Sequence, residues 1–452
     1  MNLHTKLCEL ESRGQALRVG VIGAGKFAAM YLAQAPTTPG VHIVGIADLS
    51  PARARASLER VGWKPERYGA PSLEAALKER RTHLSEDWHG LTAHPAIDII
   101  MEATGDPLAA VSHALAAFRQ GKHLIMVTVE ADALCGPLLA KKAKEAGVVY
   151  SLAYGDQPAI ICDLVDWART AGFRVVAAGR GHRWLPHFAQ STPETVWEHY
   201  GLTAEQARAG GLNPKMFNSF IDGSKPAIES AAVCNATGLT PAPAGLGYPP
   251  ASIDQLPAVM RPATEGGCLH HKGQVEVVSS LERDGRAIPY DIRFGVWVVF
   301  EGESDYIRRC FGEYGVQTDP SGRYACMYRR WHLIGLEAGI SLAAVGLRRE
   351  ATGCATGFRA DAIATAKRDL RIGEILDGEG GYTVVGRLMP AADSLRLGVF
   401  PLGLASRVKV ARPIRQGDPV LWSDVTWDAG DDAVRLRREM EAEFGHATRE
   451  AA

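Results

Sequence analysis

The sequence predicts an α/β protein: an N-terminal Rossmann domain with a parallel sheet, an α+β substrate and dimerisation domain, and a small C-terminal all-β module. Three observations carry this. Short apolar runs alternate with helical segments up to about Gly155, which is the rhythm of a parallel sheet covered on both faces. Beyond Gly155, proline and glycine become frequent and the strand-like runs become longer and mixed. Near the end, two similar phrases recur, each setting a charged turn glycine between apolar residues. The expected divisions are 1–155, 156–355, 356–430, and a helical tail at 431–452.

Leu17–Ile22 reads as a buried strand that breaks at Gly23-Ala24-Gly25 before a helix over Lys26–Gln34. A second run, Val41–Ala47, ends at Asp48, and Ser50-Pro51 reads as a cap plus first-turn proline. Further strands are expected at 97–102, 123–129 and 148–153, with helices at 108–119 and 134–146. The polar stretch 62–95 is read as a decoration on the sheet edge. In the second part, 274–280 and 292–300 read as strands of a mostly antiparallel sheet, and the helical segment 332–345 as returning beside the first domain. The two phrases start at Arg368 and Arg412, with turn glycines Gly373 and Gly417. The charged tail is expected to be partly solvated.

A chain of 452 residues is long enough for roughly three domains of about 150 residues. Its 46% apolar and 22% charged residues are those of an ordinary globular enzyme, which argues against disorder and coiled coil. Lys plus Arg number 50 and Asp plus Glu 51, so no global field draws nucleic acid or anionic lipid, and a small ligand is expected. With no long apolar run and no signal-peptide core, a cytoplasmic protein without membrane contact is expected. Eight scattered cysteines without a C-x-x-C pair indicate neither a disulfide framework nor a zinc site.

Gly23-x-Gly25-x-x-Ala28 fits a dinucleotide fingerprint, and each position has a physical task. Gly23 permits a tight turn, Gly25 lets backbone approach a diphosphate, and Ala28 lets helix and strand pack closely. Lys26 and Phe27 stand in the first helical turn, where amides and the positive dipole end favour an anion. Asp48 follows about 20 residues on, placed for ribose hydroxyls. Its charge favours NAD over NADP, although Arg53 or Arg55 could meet a 2′-phosphate, so either nucleotide remains the expected cofactor. Thr104-Gly105 follows a strand at the carboxyl edge of the sheet, and is read either as a helix-capping turn or as a contact for the nicotinamide half.

Glu102-Ala103-Thr104-Gly105, then 121–126 (Gly-Lys-His-Leu-Ile-Met), then Gly155-Asp156-Gln157-Pro158 resemble, in that order, homoserine dehydrogenases and their relatives. The phrases at 211–217 and 332–337 are similar to the homoserine-dehydrogenase-like branch that includes the 1-deoxy-D-xylulose 5-phosphate reductoisomerase-like enzymes. The stretch 369–424 resembles the β-clip SAF domain. This resemblance implies isomerisation and NAD(P)-dependent reduction of a phosphorylated keto sugar to 2-C-methyl-D-erythritol 4-phosphate, a step of isoprenoid biosynthesis. It also implies a homodimer or homotetramer and a divalent cation, Mg2+ or Mn2+. Two departures stand out: Glu130, near the cofactor, and Glu229 occupy positions where true homoserine dehydrogenases have lysine. A sugar- or polyol-phosphate dehydrogenase, homoserine dehydrogenase, and a dinucleotide-dependent sensor or scaffold are the alternatives.

Such a substrate needs cations for its phosphate and a group to polarise its carbonyl. Basic clusters lie at Arg180, His182, Arg183 and His187; at His270, His271 and Lys272; and at Arg329, Arg330 and His332. Each is either a solvated face or a substrate contact. Asp156, Gln157, Arg180, His182, Arg329 and His332 are the expected substrate residues. Lys215 and Lys225 flank Asp222, and a lysine there suits an electrophile or proton donor. Lys215, Asp222, Lys225 and Glu229 form the expected catalytic set. Asp156, Asp222 and Glu229 are the carboxylates a cation would use, but no ligand spacing assigns one.

Overall fold

A strand whose side chains are apolar on both faces belongs inside a sheet, and Leu17–Ile22 (β1) takes the middle position. The computed structural model describes residues 2–450. Around β1 it arranges Val41–Ala47 (β2), Tyr68–Ala70 (β3), Thr82–Ser85 (β4), Ile99–Glu102 (β5), His123–Met126 (β6) and Tyr150–Leu152 (β7) in the order β3-β4-β2-β1-β5-β6-β7. Every pairing is parallel. The chain runs outward from β1 through β2 and then returns to β5 on the other side, so strand order reverses at the carboxyl ends of β1 and β5. Open α/β sheets bind ligands at such a switch point.

The polar stretch 62–95 lies at the sheet edge, where it supplies β3 and β4, two strands the sequence reading did not foresee, which extend the parallel sheet beyond β2. The expected strand 123–129 is shorter, because Thr128 begins the helix Val129–Glu145, whose first turn carries Glu130 and Asp132.

By contacts the chain divides into two units, the first being Met1–Ile160 with Leu333–Ala355 and the second Ile161–His332 with Thr356–Ala452. In the first unit the returning helix, Gly339–Arg348, packs on β6 and β7. Its Leu342, Ala343 and Val345 share one buried core with Leu17, Val19 and Ile125.

The second unit holds a four-stranded sheet in the order Tyr324–Arg329 (β11), Val296–Glu301 (β10), Arg174–His182 (β8), Gln274–Ser279 (β9). β10 is antiparallel to β8 and β11 while β8 and β9 run parallel, so the sheet is mostly antiparallel, as the sequence predicts. The helix Ser224–Thr237 packs on β9 and on two strands of the C-terminal module, Ala360–Ala366 (β12) and Val384–Pro390 (β14). Ile375–Asp377 (β13), Ser406–Val410 (β15) and Val425–Thr426 (β16) complete the module. Residues 356–430 therefore share a unit with the middle segment. Buried Asn235 explains part of this, since its amide donates to the Ala360 carbonyl at 3.1 Å and accepts from the Arg359 N–H at 2.8 Å.

The module is built on the two similar phrases. The Gly373 N–H donates to the Val410 carbonyl and the Val410 N–H to that of Glu374. A shift of 44 residues reproduces both bonds, from Gly417 to Ala366 and from Ala366 to Asp418. Leu370 and Ile414 exchange backbone hydrogen bonds between the two halves. Gly373 (φ 88°) and Gly417 (φ 87°) both take the left-handed turn that glycine allows.

The tail, Asp432–Glu450, is helical but not simply solvated: Arg437 is fully buried and donates to Asp361 at 2.6 and 3.0 Å. All eight cysteines are free. Among the described residues no helix is long and apolar enough to cross a membrane.

Candidate functional site

The loop after β1 has the shape a diphosphate requires. Gly23 has φ 94°, and a Cβ there would lie 2.6 Å from the Ala103 carbonyl oxygen, so only glycine fits. Gly25 caps the helix Lys26–Gln34 without any side-chain hydrogen bond, and a Cβ on it would meet nothing within 4 Å. First-turn amides at Lys26 and Phe27 therefore face a space with room for a ligand, beside the positive end of a helix. Ala28 is fully buried under them.

Asp48 sits at the end of β2, but its carboxylate turns inward. It accepts from the Ala24 N–H at 2.8 Å and the Ser50 N–H at 2.9 Å, and pairs with Arg53 at 2.6 Å. The Asp48 side chain is 3% exposed and that of Arg53 62%. Arg55 instead lies over the Tyr68 ring.

Sequence reasoning used Glu102 only as a family marker, yet it organises the next loop. Fully buried at the carboxyl end of β5, it accepts from the Thr104 hydroxyl at 2.6 Å, the Thr128 hydroxyl at 2.5 Å and His113 Nδ1 at 3.2 Å. Thr128 Oγ1 in turn accepts from the Gly105 N–H at 3.0 Å. Exposed Thr104 and Gly105 are thus held from beneath by a charge-assisted network. Glu130 is half-buried in the first turn of the neighbouring helix. The signal available in the sequence was a carboxylate ending a central, otherwise apolar strand.

Asp156 is buried and its carboxylate accepts from the Gln157 N–H at 2.9 Å, opening the helix Gln157–Thr170. Both belong to the first unit.

In the second unit the expected catalytic set has other engagements. Asp222 is fully buried and pairs not with a flanking lysine but with Lys367, whose Nζ donates to it at 2.7 Å and to the Ser191 and Gly381 carbonyls at 2.7 and 2.9 Å. Burial pushes the Asp222 carboxyl up and the Lys367 ammonium opposes it. Lys215 donates to the Asp377 carbonyl, fastening its helix to the C-terminal module. Lys225 is half-buried in the first turn of Ser224–Thr237, and Glu229, farther along that helix, pairs with Arg180 of β8. Lys215, Asp222 and Arg180 thus each have a partner within the protein.

His182 ends β8 and is buried. Burial first, then the Arg180 and Arg293 charges, hold its imidazole neutral, well below the usual range, and its Nε2 has no protein partner. Arg329 ends β11, half-buried, while His332 binds the Phe294 carbonyl through Nδ1 at 2.6 Å. The His270 cluster is structural: His271 bonds Thr240 at 2.6 Å and Lys272 pairs with Glu301 at 2.8 Å.

The carboxylates do not fit a divalent cation. Asp222 and Glu229 are each taken by a buried cation, and no three His, Cys, Asp or Glu side chains converge suitably among the described residues.

Residues 17–128 match the family model described as oxidoreductase family, NAD-binding Rossmann fold, of the GFO/IDH/MocA type. Residues 155–338 match the model described as oxidoreductase DRL, catalytic domain. Both matched models are of oxidoreductases, and the first is NAD-binding. The match over 17–128 corrects the resemblance to the homoserine-dehydrogenase-like and reductoisomerase branch, and with it the implied place in isoprenoid biosynthesis.

No curated protein matches the chain. Among solved structures it is similar to a biliverdin reductase from Synechocystis (18% identity, 37% of this chain and 48% of that one, TM-score 0.26). Others are an NAD-binding oxidoreductase from Klebsiella pneumoniae (20%, 38% and 44%, 0.27) and a scyllo-inositol dehydrogenase from Lactobacillus casei (13%, 37% and 47%, 0.26). The chain spans about half the length of each.

Proposed function

We propose that this oxidoreductase interconverts a hydroxyl and a carbonyl on a small polyhydroxylated substrate, as a sugar- or polyol-phosphate dehydrogenase. The observation that carries the cofactor half is the open space at Gly25 above an uncapped helix N-terminus. There the amides of the Lys26 and Phe27 turn hold the diphosphate, and Gly23 keeps the turn tight enough to present them. Asp48 serves the adenosine ribose. Because Arg53 already neutralises it, repulsion of a 2′-phosphate is muted, and both nucleotides are accommodated. Thr104 and Gly105, steadied by Glu102, border the nicotinamide end, with Glu130 nearby on the following helix.

The bound nicotinamide supplies or receives the hydride. In the second unit, His182 is the group suited to accept a proton: a neutral imidazole with an unpartnered nitrogen accepts from a hydroxyl. Lys225 orients the substrate through its ammonium group, and Glu229 acts through Arg180 as a positioning residue. The test is titration with NADH and NADPH followed by a panel of sugars and polyols with and without phosphate, reading reduced-nicotinamide absorbance. Turnover of a polyol-type compound, lost in His182→Ala with dinucleotide affinity intact, is expected. Absence of saturable affinity for both nucleotides would overturn the reading.

A further inference from the structure

Buried polar atoms nearly always find partners, and in the second unit two that do not lie close together in the chain. His182 Nε2 and Trp184 Nε1, two residues apart where β8 ends, are buried and without a partner among the described residues. The Trp184 ring stacks on that of Tyr248 with 4.1 Å between centroids, and the His182 ring lies 6.5 Å from the same tyrosine. Among the described residues no hydrogen bond engages the Tyr248 hydroxyl either, and burial keeps it protonated.

Gly223 marks the place where the two donors meet. A Cβ there would lie 3.0 Å from the Tyr248 hydroxyl and 3.6 Å from Trp184 Nε1, so both polar atoms face a residue without a side chain. The turn is held across that glycine, since the Asp222 carboxylate accepts from the Ser224 N–H at 2.8 Å. Tyr248 itself has φ 50°, a conformation that non-glycine residues rarely hold and that gathers at binding sites. Buried Glu276 fixes it, accepting from the Gly247 N–H at 3.0 Å and the Tyr248 N–H at 3.3 Å. Trp184 is fixed likewise, its carbonyl accepting from the Ser279 hydroxyl at 2.7 Å. The backbone is thus pinned while the polar tips are left unbonded.

We propose that Trp184, Tyr248 and His182 form the subsite for one hydroxyl group of the polyol. A hydroxyl has one proton to donate and two lone pairs to offer. Neutral His182 Nε2 accepts from its O–H, and the Trp184 N–H and the Tyr248 O–H donate to the two lone pairs, so no group is left over. Such a subsite rejects a molecule that lacks the hydroxyl, because its own buried groups then stay unpaired. The proposal rests on the polyol reading above and makes Trp184 and Tyr248 specificity-determining residues.

The test uses the full chain with two probes, erythritol and butanediol, the latter lacking the inner hydroxyls, each titrated by ligand-observed NMR. The wild type should hold erythritol about tenfold tighter or more, and Tyr248→Phe and Trp184→Phe should each cut that ratio by about threefold to tenfold. Trp184→Phe also shortens the side chain, so it is read by the ratio alone. Tyr248→Phe should melt no lower than the wild type, because it removes a group without a protein partner. No erythritol binding by the wild type, or a ratio unchanged in both variants, overturns the subsite. So does a Tyr248→Phe protein that melts several degrees lower with its ratio intact, the mark of groups that only hold a structural water. An erythritol preference that both variants lose, in a wild type that binds neither NADH nor NADPH, overturns the dehydrogenase reading instead and leaves the subsite standing.

Discussion

Gly25 offers a way to separate cofactor binding from folding. Its φ of −70° and ψ of −164° are open to any L-residue, and a Cβ there meets nothing within 4 Å. Replacement by alanine forfeits about 1 kcal/mol of capping preference and recovers about 0.4–1 kcal/mol through a less flexible unfolded chain. Stability should therefore move by less than about 1 kcal/mol. Gly25→Val pushes a branched side chain into the diphosphate space. Losing two hydrogen bonds to a charged group, at about 1.5–3 kcal/mol each, weakens binding by about 100-fold or more. Gly23→Ala is the contrasting variant: at φ 94° with the Ala103 oxygen 2.6 Å away, it should cost about 1–3 kcal/mol of folding stability. Fluorescence titration with NADH and NADPH, paired with calorimetric melting, reads both quantities. A Gly25→Val protein binding dinucleotide within threefold of the wild type would refute the proposed loop geometry.

Lys367→Met removes the cation that offsets the burial of Asp222, and should destabilise by about 3–5 kcal/mol in urea unfolding; a companion Asp222→Leu change should restore much of the loss. Asp132 is fully buried and, among the described residues, accepts from the Tyr150 hydroxyl at 2.8 Å while its other oxygen has no partner. Burial raises its carboxyl from 3.8 to about 7. The folded form thus holds a proton that the unfolded chain releases, so stability is full below pH 3.8, falls as pH climbs to about 7, and is level above. Asp132→Asn should flatten that window and raise stability at pH 8 by at most about 4 kcal/mol; an unchanged pH profile would contradict it. Arg53→Ala should lower NADPH affinity more than NADH affinity, measured as the ratio of the two Kd values.

What could be read from the sequence was local. β1, its glycine turn and the following helix announce themselves through an apolar run broken by residues that must bend, and Gly373 and Gly417 mark their turns in the same way. β3 and β4 escaped because strands of three and four residues are too short to show a period. The second unit was harder still, since its decisive pairings are distant: Lys367 reaches Asp222 across 145 residues, and Arg437 reaches Asp361 across 76. Composition placed cations in this region correctly but could not say which of them carboxylates would claim.

The first unit is interrupted in the chain: its last covering helix, Gly339–Arg348, is encoded after the whole of Ile161–His332. On the ribosome, β6 and β7 emerge long before the segment that shields them, a wait of ~10–40 s at usual elongation rates. During that interval the nascent Rossmann sheet shows bare apolar surface around Ile125, a natural target for chaperones. A fragment ending near residue 160 would carry the same exposed face permanently, and should aggregate unless residues 333–355 are supplied by fusion.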